Sequence, residues 1–244
     1  MLSALALIAV IQPQQNAAAL VSKMIANYHD VKSMTGEIVM TQTMMGKAIK
    51  ITTKLQFEKP CKVYIKQEKT GADPMTWLVT SDGQLFSYDA PNSRRENYTQ
   101  KNSRLIESCN PGVALTYQDV YRAAALSLGD RAAPLDLAFG RIEDLRYLRG
   151  QWKTVESGGE ESVNGESLQM IKGLWREYTD APHSGVYSMW LTDKGDLRRY
   201  AIKETYQVRT PDGNDTGAQE VLTMWEVRLN PNATVDPALF KVVR

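Results

Sequence analysis

The sequence contains few of the residue types on which most enzymes depend. Of its 244 residues only two are histidines, His29 and His183, and they lie far apart. Neither a Gly-x-Ser-x-Gly elbow nor a phosphate-binding glycine loop occurs. Glu160 and Glu161 follow a Gly-Gly pair, which is more typical of a solvated turn than of a glycosidase carboxylate pair. These absences predict a protein that is not an enzyme and that needs no cofactor or metal ion.

An excess of charge of one sign is lacking as well. The 29 Lys and Arg residues nearly balance the 28 Asp and Glu residues, which leaves a formal net charge of +1. Because no basic block stands out, the sequence gives no reason to expect nucleic-acid binding. A hydrophobic content of 43% is enough for a sizeable core and argues against global disorder. With no linker rich in Pro, Gly or Ser, we expect one domain.

The apolar run from Met1 to about Gln12 is too short to span a bilayer. It has the length of a signal-peptide core, although no Lys or Arg precedes it, and a buried N-terminal helix is the alternative. We therefore predict a leader over residues 1–19 and a domain over residues 20–244. The expected product is a soluble exported protein of the periplasm or another extracytoplasmic compartment.

Cysteine is scarce, with Cys61 and Cys109 making up the whole thiol content. In an oxidising compartment the two could form a disulfide, and two free buried thiols fit the sequence equally well. Two cysteines at this spacing offer too few ligands for a zinc site.

Strand patterns dominate the first part of the chain, after an amphipathic helix over residues 20–28. Thr35–Met44 and Ala48–Phe57 alternate apolar and polar residues around Met45-Gly46-Lys47, which predicts a hairpin. Pro60 suits the start of the next strand, because it lacks the backbone donor that a strand interior needs. Asp82-Gly83 separates two further strands and predicts a tight turn.

A helical block, at about residues 114–150, interrupts the strands. Thr116 is a plausible N-cap, Pro134 suits the first turn of a second helix, and a third segment ends at Gly150. Strand patterns then resume, separated by turn formers such as Gly158-Gly159 and Asn164-Gly165. The predicted strands are Trp152–Glu156, Ser167–Tyr178, Gly185–Thr192, Asp196–Val208 and Gln219–Leu229. Many antiparallel strands with one helical insertion predict a strongly curved sheet.

Several short motifs follow one another in a characteristic order. Leu55 to Pro60 reads Leu-x-Phe-x-Lys-Pro, Leu78 to Gly83 reads Leu-Val-x-Ser-Asp-Gly, and Asp236 to Phe240 reads Asp-Pro-x-x-Phe. In this order the motifs resemble the LolA-like family of bacterial lipoprotein carriers and sorting proteins. The resemblance implies an α+β fold in which the antiparallel sheet forms an incomplete β-barrel, or half-barrel, under a helical lid.

The resemblance also implies a binding function. The ligand would be a lipid or lipoprotein acyl chain held in an apolar cavity by a monomer, and envelope membrane proteins would be further partners. Lys59 stands where the family carries a basic residue, typically Arg, that contacts the lid. The predicted cavity residues are Ile38, Met40, Ile49, Ile51, Leu55, Phe57, Val63, Ile65, Trp77, Trp190 and Trp225. Two alternatives stay open: these side chains form a solid core, or the fold serves as an envelope sensor or adaptor that binds a protein.

Overall fold

A computed structural model describes residues 13–29, 31–71, 73–91, 99–105, 134–139, 150–175, 184–209 and 215–242. Its main element is one antiparallel sheet of eleven strands. The strands are β1 (Ser33–Met44), β2 (Lys47–Glu58), β3 (Lys62–Thr70), β4 (Met75–Asp82), β5 (Leu85–Pro91), β6 (Thr99–Leu105), β7 (Glu156–Val163), β8 (Glu166–Trp175), β9 (Ser184–Leu191), β10 (Leu197–Arg209) and β11 (Asp215–Pro231).

The strand order places the first and last strands together in the middle of the sheet. It runs β6-β5-β4-β3-β2-β1-β11-β10-β9-β8-β7, so β1 pairs with β11 and all other neighbours follow one another in sequence. Within the described strands, β6 and β7 are the two edges and do not pair with each other. We call the end at which β1 begins the lower end, and the end with the β1–β2 turn the upper end.

Alternation of side chains gives the sheet two different faces. Met40 of β1 lies opposite Ile51 of β2 and Trp225 of β11, and Trp225 lies opposite Tyr200 of β10. All four are buried, and we call the face that they share the inner face. The opposite, outer face carries polar pairs such as Glu37 and Lys54, which lie opposite each other on β1 and β2. This pattern is typical of an antiparallel sheet with one face towards the core.

Helices cover the lower part of the inner face. Helix α1 (Pro13–His29) packs Val21, Met24 and Tyr28 into the core, and it is fixed to the lower turn between β9 and β10. There Lys23 Nζ donates to the carbonyl oxygen of Asp193 at 2.6 Å, and Asn27 Nδ2 donates to that of Lys194 at 2.6 Å. No helix in the described part of the chain is long and apolar enough to cross a membrane.

Helix α2 (Pro134–Phe139) is buried on every side that the structure describes. Leu135, Leu137, Ala138 and Phe139 are all inaccessible to solvent, and the Phe139 ring meets the Phe57 ring edge-on at 5.7 Å. The described side chains of α2 are thus part of the core. The chain closes with a short 3-10 helix (Pro237–Phe240), which Asp236 caps through the backbone nitrogen of Ala238.

Most predicted elements are present. The Asp82-Gly83 turn forms as predicted, with Gly83 at a φ of 96° and Asp82 Oδ1 accepting from the backbone nitrogens of Gln84 and Leu85. The predicted start of α2 at Pro134 is confirmed. The other two helices of the predicted insertion lie outside the described residues. The final residues of the predicted leader belong to α1, in which Ala17 is buried.

Two predictions around Gly158-Gly159 are wrong. The predicted strand Trp152–Glu156 is not a strand, because Trp152 makes one isolated bridge to Trp175 and β7 begins only at Glu156. The Gly-Gly pair lies inside β7 instead of forming a turn. The pairing with β8 shifts between Ser157 and Gly159, so the glycines form a β-bulge, in which Gly159 adopts a φ of 93°. Glycines signal a bulge and a turn equally well in the sequence.

Candidate functional site: the inner face of the sheet

The structure places ten of the eleven predicted cavity residues on the inner face of five neighbouring strands. The register sets Ile38 opposite Thr53 and Val227, and it sets Phe57 opposite Met34 and Val63. A two-residue period and a fixed register are what bring these distant side chains together. The inner-face residues are Ile38, Met40, Ile49, Ile51, Leu55, Phe57, Val63, Ile65, Trp77 and Trp225.

Trp190 is the exception, since it lies on the outer face. Its register partner is Arg199, whose guanidinium carbon sits 5.4 Å from the centre of the Trp190 ring, and Trp190 Nε1 donates to Glu161 Oε2 at 2.7 Å. Arg199 in turn pairs with Glu226 at 2.7 Å. Trp190 therefore stabilises a polar surface cluster and does not line the interior. Within β9, Tyr187 and Met189 face inward instead.

The lower half of the inner face is filled by protein side chains. Phe57, Val63 and Ile65 are completely buried, and α2 covers this region through the Phe57–Phe139 contact. Between α1, α2 and strands β9 and β10 there is a cavity of about 10 Å³, which is at best the size of one water molecule. Met24, Pro134, Leu137, Trp152, Met189, Leu197 and Tyr200 line it. In this half the predicted cavity residues are core residues.

Towards the upper end the inner-face side chains become exposed. Along β2 the exposed fraction is 3% for Ile51 and 37% for Ile49, and along β1 it is 4% for Met40 and 45% for Met44. On β10 Tyr206 is 37% exposed. Strand β11 lies between β1 and β10, and its residue Val221, on the same face, remains buried. We call Met44, Ile49, Tyr206 and Val221 the upper apolar surface.

An aromatic cluster fills the middle of the inner face and was not foreseen as a unit. The Tyr200 ring stacks on Trp225 at 5.4 Å and lies 6.4 Å from Trp175, while Trp152 stacks on Tyr187 at 5.7 Å. Burial raises the pKa of the Tyr200 and Tyr187 phenols well above the ordinary value. Both therefore act as neutral hydrogen-bonding groups, and Tyr187 donates to the carbonyl oxygen of Thr154 at 2.6 Å.

A buried polar pair interrupts the apolar lining. Gln67 Nε2 donates to Thr53 Oγ1 at 2.9 Å, between the inner-face positions of Ile38 and Trp77. The other amide atom, Gln67 Oε1, is buried without a hydrogen-bond partner among the described residues. A buried acceptor without a hydrogen-bond partner lowers the free energy of unfolding by roughly 1–3 kcal/mol. Sequence reasoning missed Gln67, although a Gln on the apolar side of a strand pattern is a signal that could have found it.

Lys59 and Cys61 both lie in the lower turn between β2 and β3. Lys59 donates its backbone nitrogen to the carbonyl oxygen of Lys32 at 2.8 Å and is half-buried. Its contact with the lid stays a prediction, since most of the predicted 114–150 insertion lies outside the described part of the chain. Cys61 is disulfide-bonded, and Cys109, its one possible partner in this sequence, also lies outside that part.

A larger cavity lies at the lower end of the sheet, away from the upper apolar surface. It has a volume of about 360 Å³ and opens to solvent between β3, β4 and the end of the chain. Its lining is Lys62, Asp82, Pro237, Phe240, Lys241 and Val242. This mixed and charged lining is unsuited to an acyl chain. No group of His, Cys, Asp or Glu side chains in the described ranges is arranged to hold a metal ion.

No family model matches this sequence, and no curated protein matches it. Among solved structures, LprF from Mycobacterium bovis is similar over 92% of this chain and 97% of that chain, with 12% identity and a TM-score of 0.49. The complex of MucA and MucB from Pseudomonas aeruginosa is similar over 93% of this chain and 61% of that chain, with 10% identity and a TM-score of 0.44.

A LolA superfamily protein from Nitrosomonas europaea is similar over 93% of this chain and 97% of that chain, with 8% identity and a TM-score of 0.31. At such identities and scores the likeness says nothing about ligands or partners. One of these similar structures is thus named for the LolA superfamily, the family that the sequence motifs resemble.

Proposed function

We propose that this protein is a non-enzymatic, extracytoplasmic binder of lipid or lipoprotein acyl chains. The binding surface in this proposal is the upper apolar surface, together with Met40, Ile51 and Trp225 beneath it. One observation carries the proposal: apolar side chains on the inner face pass from fully buried at the lower end to 37–45% exposed at the upper end. Exposed apolar side chains that adjoin a core favour an apolar ligand.

The chemistry of this surface suits a hydrocarbon chain. Each methylene that leaves water contributes about 0.8 kcal/mol, irrespective of the details of the chain. Met40 and Met44 add flexible side chains that adapt to ligands of different shape. Glu204 and Tyr206, which are joined by a 2.8 Å hydrogen bond, bring polar atoms to the same side of β10. A headgroup could be held near them while the chain lies against Met40 and Ile51.

This proposal narrows the predicted site. Phe57, Val63 and Ile65 belong to the core, because they are fully buried and α2 contacts Phe57 through Phe139. In the proposed half-barrel, α2 is therefore a floor, and the acyl chain lies above it. The lid, with its contact to Lys59, would be formed by other residues of the 114–150 insertion.

The disulfide at Cys61 supports an extracytoplasmic location. Disulfides persist in the periplasm and outside the cell, whereas cytosolic thiols are kept reduced. Export would also place the protein in the compartment where lipoproteins and lipids travel between membranes.

The test is a binding titration with a fluorescent fatty acid on protein purified without detergent. Ile49→Glu places a charge on the proposed surface at a partly exposed position, so the protein should fold while its affinity falls at least about tenfold. Val186→Glu is the matched control, because Val186 is 47% exposed but lies on the outer face. Failure of the wild-type protein to bind the probe, or equal affinity of the two variants, would reject the proposal.

A second candidate function is that of an envelope adaptor that binds a protein. It is favoured by a row of exposed apolar residues on the outer face, Leu174 of β8, Val186 of β9 and Leu222 of β11. Lys203 of β10 lies between Val186 and Leu222, and it pairs with Glu220 at 2.7 Å. Val186→Glu should then abolish capture of one specific envelope protein, whereas Ile49→Glu should leave that capture unchanged.

A further inference from the structure

Two turns of the sheet have the same backbone conformation but different residues. The β1–β2 turn is Met45-Gly46, with φ of 51° and 73°, and the β7–β8 turn is Asn164-Gly165, with φ of 53° and 82°. Positive φ at both positions of a two-residue hairpin turn strongly favours Asn-Gly. The β7–β8 turn, at the lower end, has this preferred pair. The β1–β2 turn, at the upper end, has methionine where asparagine is preferred.

Met45 is unfavourable at its position in two independent ways. The Cβ atom disfavours the left-handed conformation, and methionine lacks the short polar side chain whose local hydrogen bonds make asparagine tolerable there. The thioether chain is also 71% exposed to water. At this exposure the Met45 side chain has few packing contacts that could offset these costs. A residue that violates local preferences without a compensating contact inside the protein points to a contact outside it.

The charges around Met45 indicate what that contact is. The β1–β2 hairpin carries three lysines from Ile38 to Phe57, and its two acidic residues, Glu37 and Glu58, lie towards its lower end. Lys47 and Lys50 follow Met45 by two and five positions and are exposed, and neither forms an ion pair with another described residue. An apolar side chain flanked by lysines is suited to the surface of an anionic bilayer, where the apolar group enters the headgroup layer and the ammonium groups meet phosphates.

We propose that the β1–β2 turn is a membrane-contact element, in which Met45 inserts into the headgroup layer and Lys47 and Lys50 bind lipid phosphates. A protein partner is less favoured, because a two-residue turn is narrow and a stable protein interface needs about 800 Å² from each partner. The proposal does not rest on acyl-chain binding. However, a bilayer held by this turn would border Met44 and Ile49 of the upper apolar surface.

The test is co-sedimentation of the full chain with sucrose-loaded vesicles. We expect binding to equimolar phosphatidylcholine and phosphatidylglycerol, little binding to phosphatidylcholine alone, and loss of binding at high salt. Lys47→Gln and Lys50→Gln should each weaken the partition about fivefold. Met45→Asn should weaken it about tenfold, as expected when a partly inserted apolar side chain is removed.

Three measurements keep this test separate from folding and from the proposed acyl-chain site. Met45→Asn should unfold at a temperature no lower than wild type, because asparagine suits the turn. It should bind the fluorescent fatty acid as wild type does. Lys54→Gln, on the outer face of the same hairpin away from its turn, should leave vesicle binding unchanged. Equal binding of wild-type protein to both vesicle types, or wild-type binding by Met45→Asn and by both lysine variants, would overturn the proposal.

Discussion

The two ends of the sheet differ in how closely their residues follow the rules of stable packing. At the lower end Phe57, Met34 and Val63 are completely buried, Phe139 of α2 contacts Phe57, and the β7–β8 turn has the preferred Asn-Gly pair. At the upper end Met44, Ile49 and Tyr206 are exposed, and the β1–β2 turn places an exposed methionine in a left-handed conformation. The same strands run through both ends, so the difference lies in the side chains.

This difference separates residues that hold the fold from residues that are free to bind. Most residues of a native protein suit their local structure, and the few that do not concentrate at functional sites. At the lower end the residues suit their positions, whereas the upper end has exposed apolar side chains and a methionine in an unfavourable turn position. Function in this chain is therefore expected at the upper end, and stability is expected to depend on the lower end.

The largest expected effect is a difference in stability between truncations to alanine at the two ends. Phe57→Ala removes a fully buried ring that contacts Phe139, so the free energy of unfolding should fall by about 3–5 kcal/mol. Ile49→Ala at the upper end should lower it by less than about 1 kcal/mol, because Ile49 is already 37% exposed. Urea denaturation of both variants measures the two values. Similar losses would mean that the upper end is as well packed as the lower.

Residue patterns predicted most of the strands on the two sides of the helical insertion, because a two-residue period directly reports which side chains face the core. Ile51, Leu55 and Phe57 show this pattern, and they lie on the inner face as expected. The prediction for Trp190 was wrong because its strand is apolar on both faces, and periodicity cannot then tell the inner face from the outer. In β9 only the register, which pairs Trp190 with Arg199, shows that the ring lies on the outer face.

The division of the inner face into a packed and an exposed half could not be predicted from the sequence. It depends on where α2 docks, and a six-residue helix carries no signal in its sequence for its position against a distant strand such as β2. The contact between Phe57 and Phe139 joins residues that are 82 positions apart in the chain. The bulge in β7 was missed for a related reason, since Gly158-Gly159 is equally compatible with a turn.

An intermediate effect is expected from Tyr28, whose phenol is buried at the lower end and accepts a hydrogen bond from the backbone nitrogen of Leu197. Burial raises the pKa of Tyr28 from 10.0 to about 12. Between these two pH values the folded protein keeps a proton on Tyr28 that the unfolded chain loses. The contribution of Tyr28 to the free energy of unfolding is therefore complete below pH 10 and falls as the pH rises towards 12. The loss attributable to Tyr28 should be about 2 kcal/mol.

Urea denaturation at increasing pH measures this loss, with Tyr28→Phe as the comparison. The phenylalanine variant has no proton to lose at this position, so its stability should decline less steeply above pH 10. Tyr187 and Tyr200, whose pKa values are also raised by burial, keep part of the decline in both proteins. Identical slopes for wild type and Tyr28→Phe would show that Tyr28 is accessible to water and that the lower end is looser than it appears in the structure.

The smallest expected effect compares the two hairpin turns directly. Met45→Asn gives the upper turn the residue pair of the lower one, so the free energy of unfolding should rise by up to about 1 kcal/mol. Asn164→Met makes the reverse change, and it should lower the free energy of unfolding by a similar amount. Thermal or urea unfolding of the two single variants and of the double variant measures both effects, which should add because the turns lie at opposite ends of the sheet. If Met45→Asn instead lowers stability, methionine serves the folded structure at this turn, and its exposure is no longer a sign of a contact outside the protein.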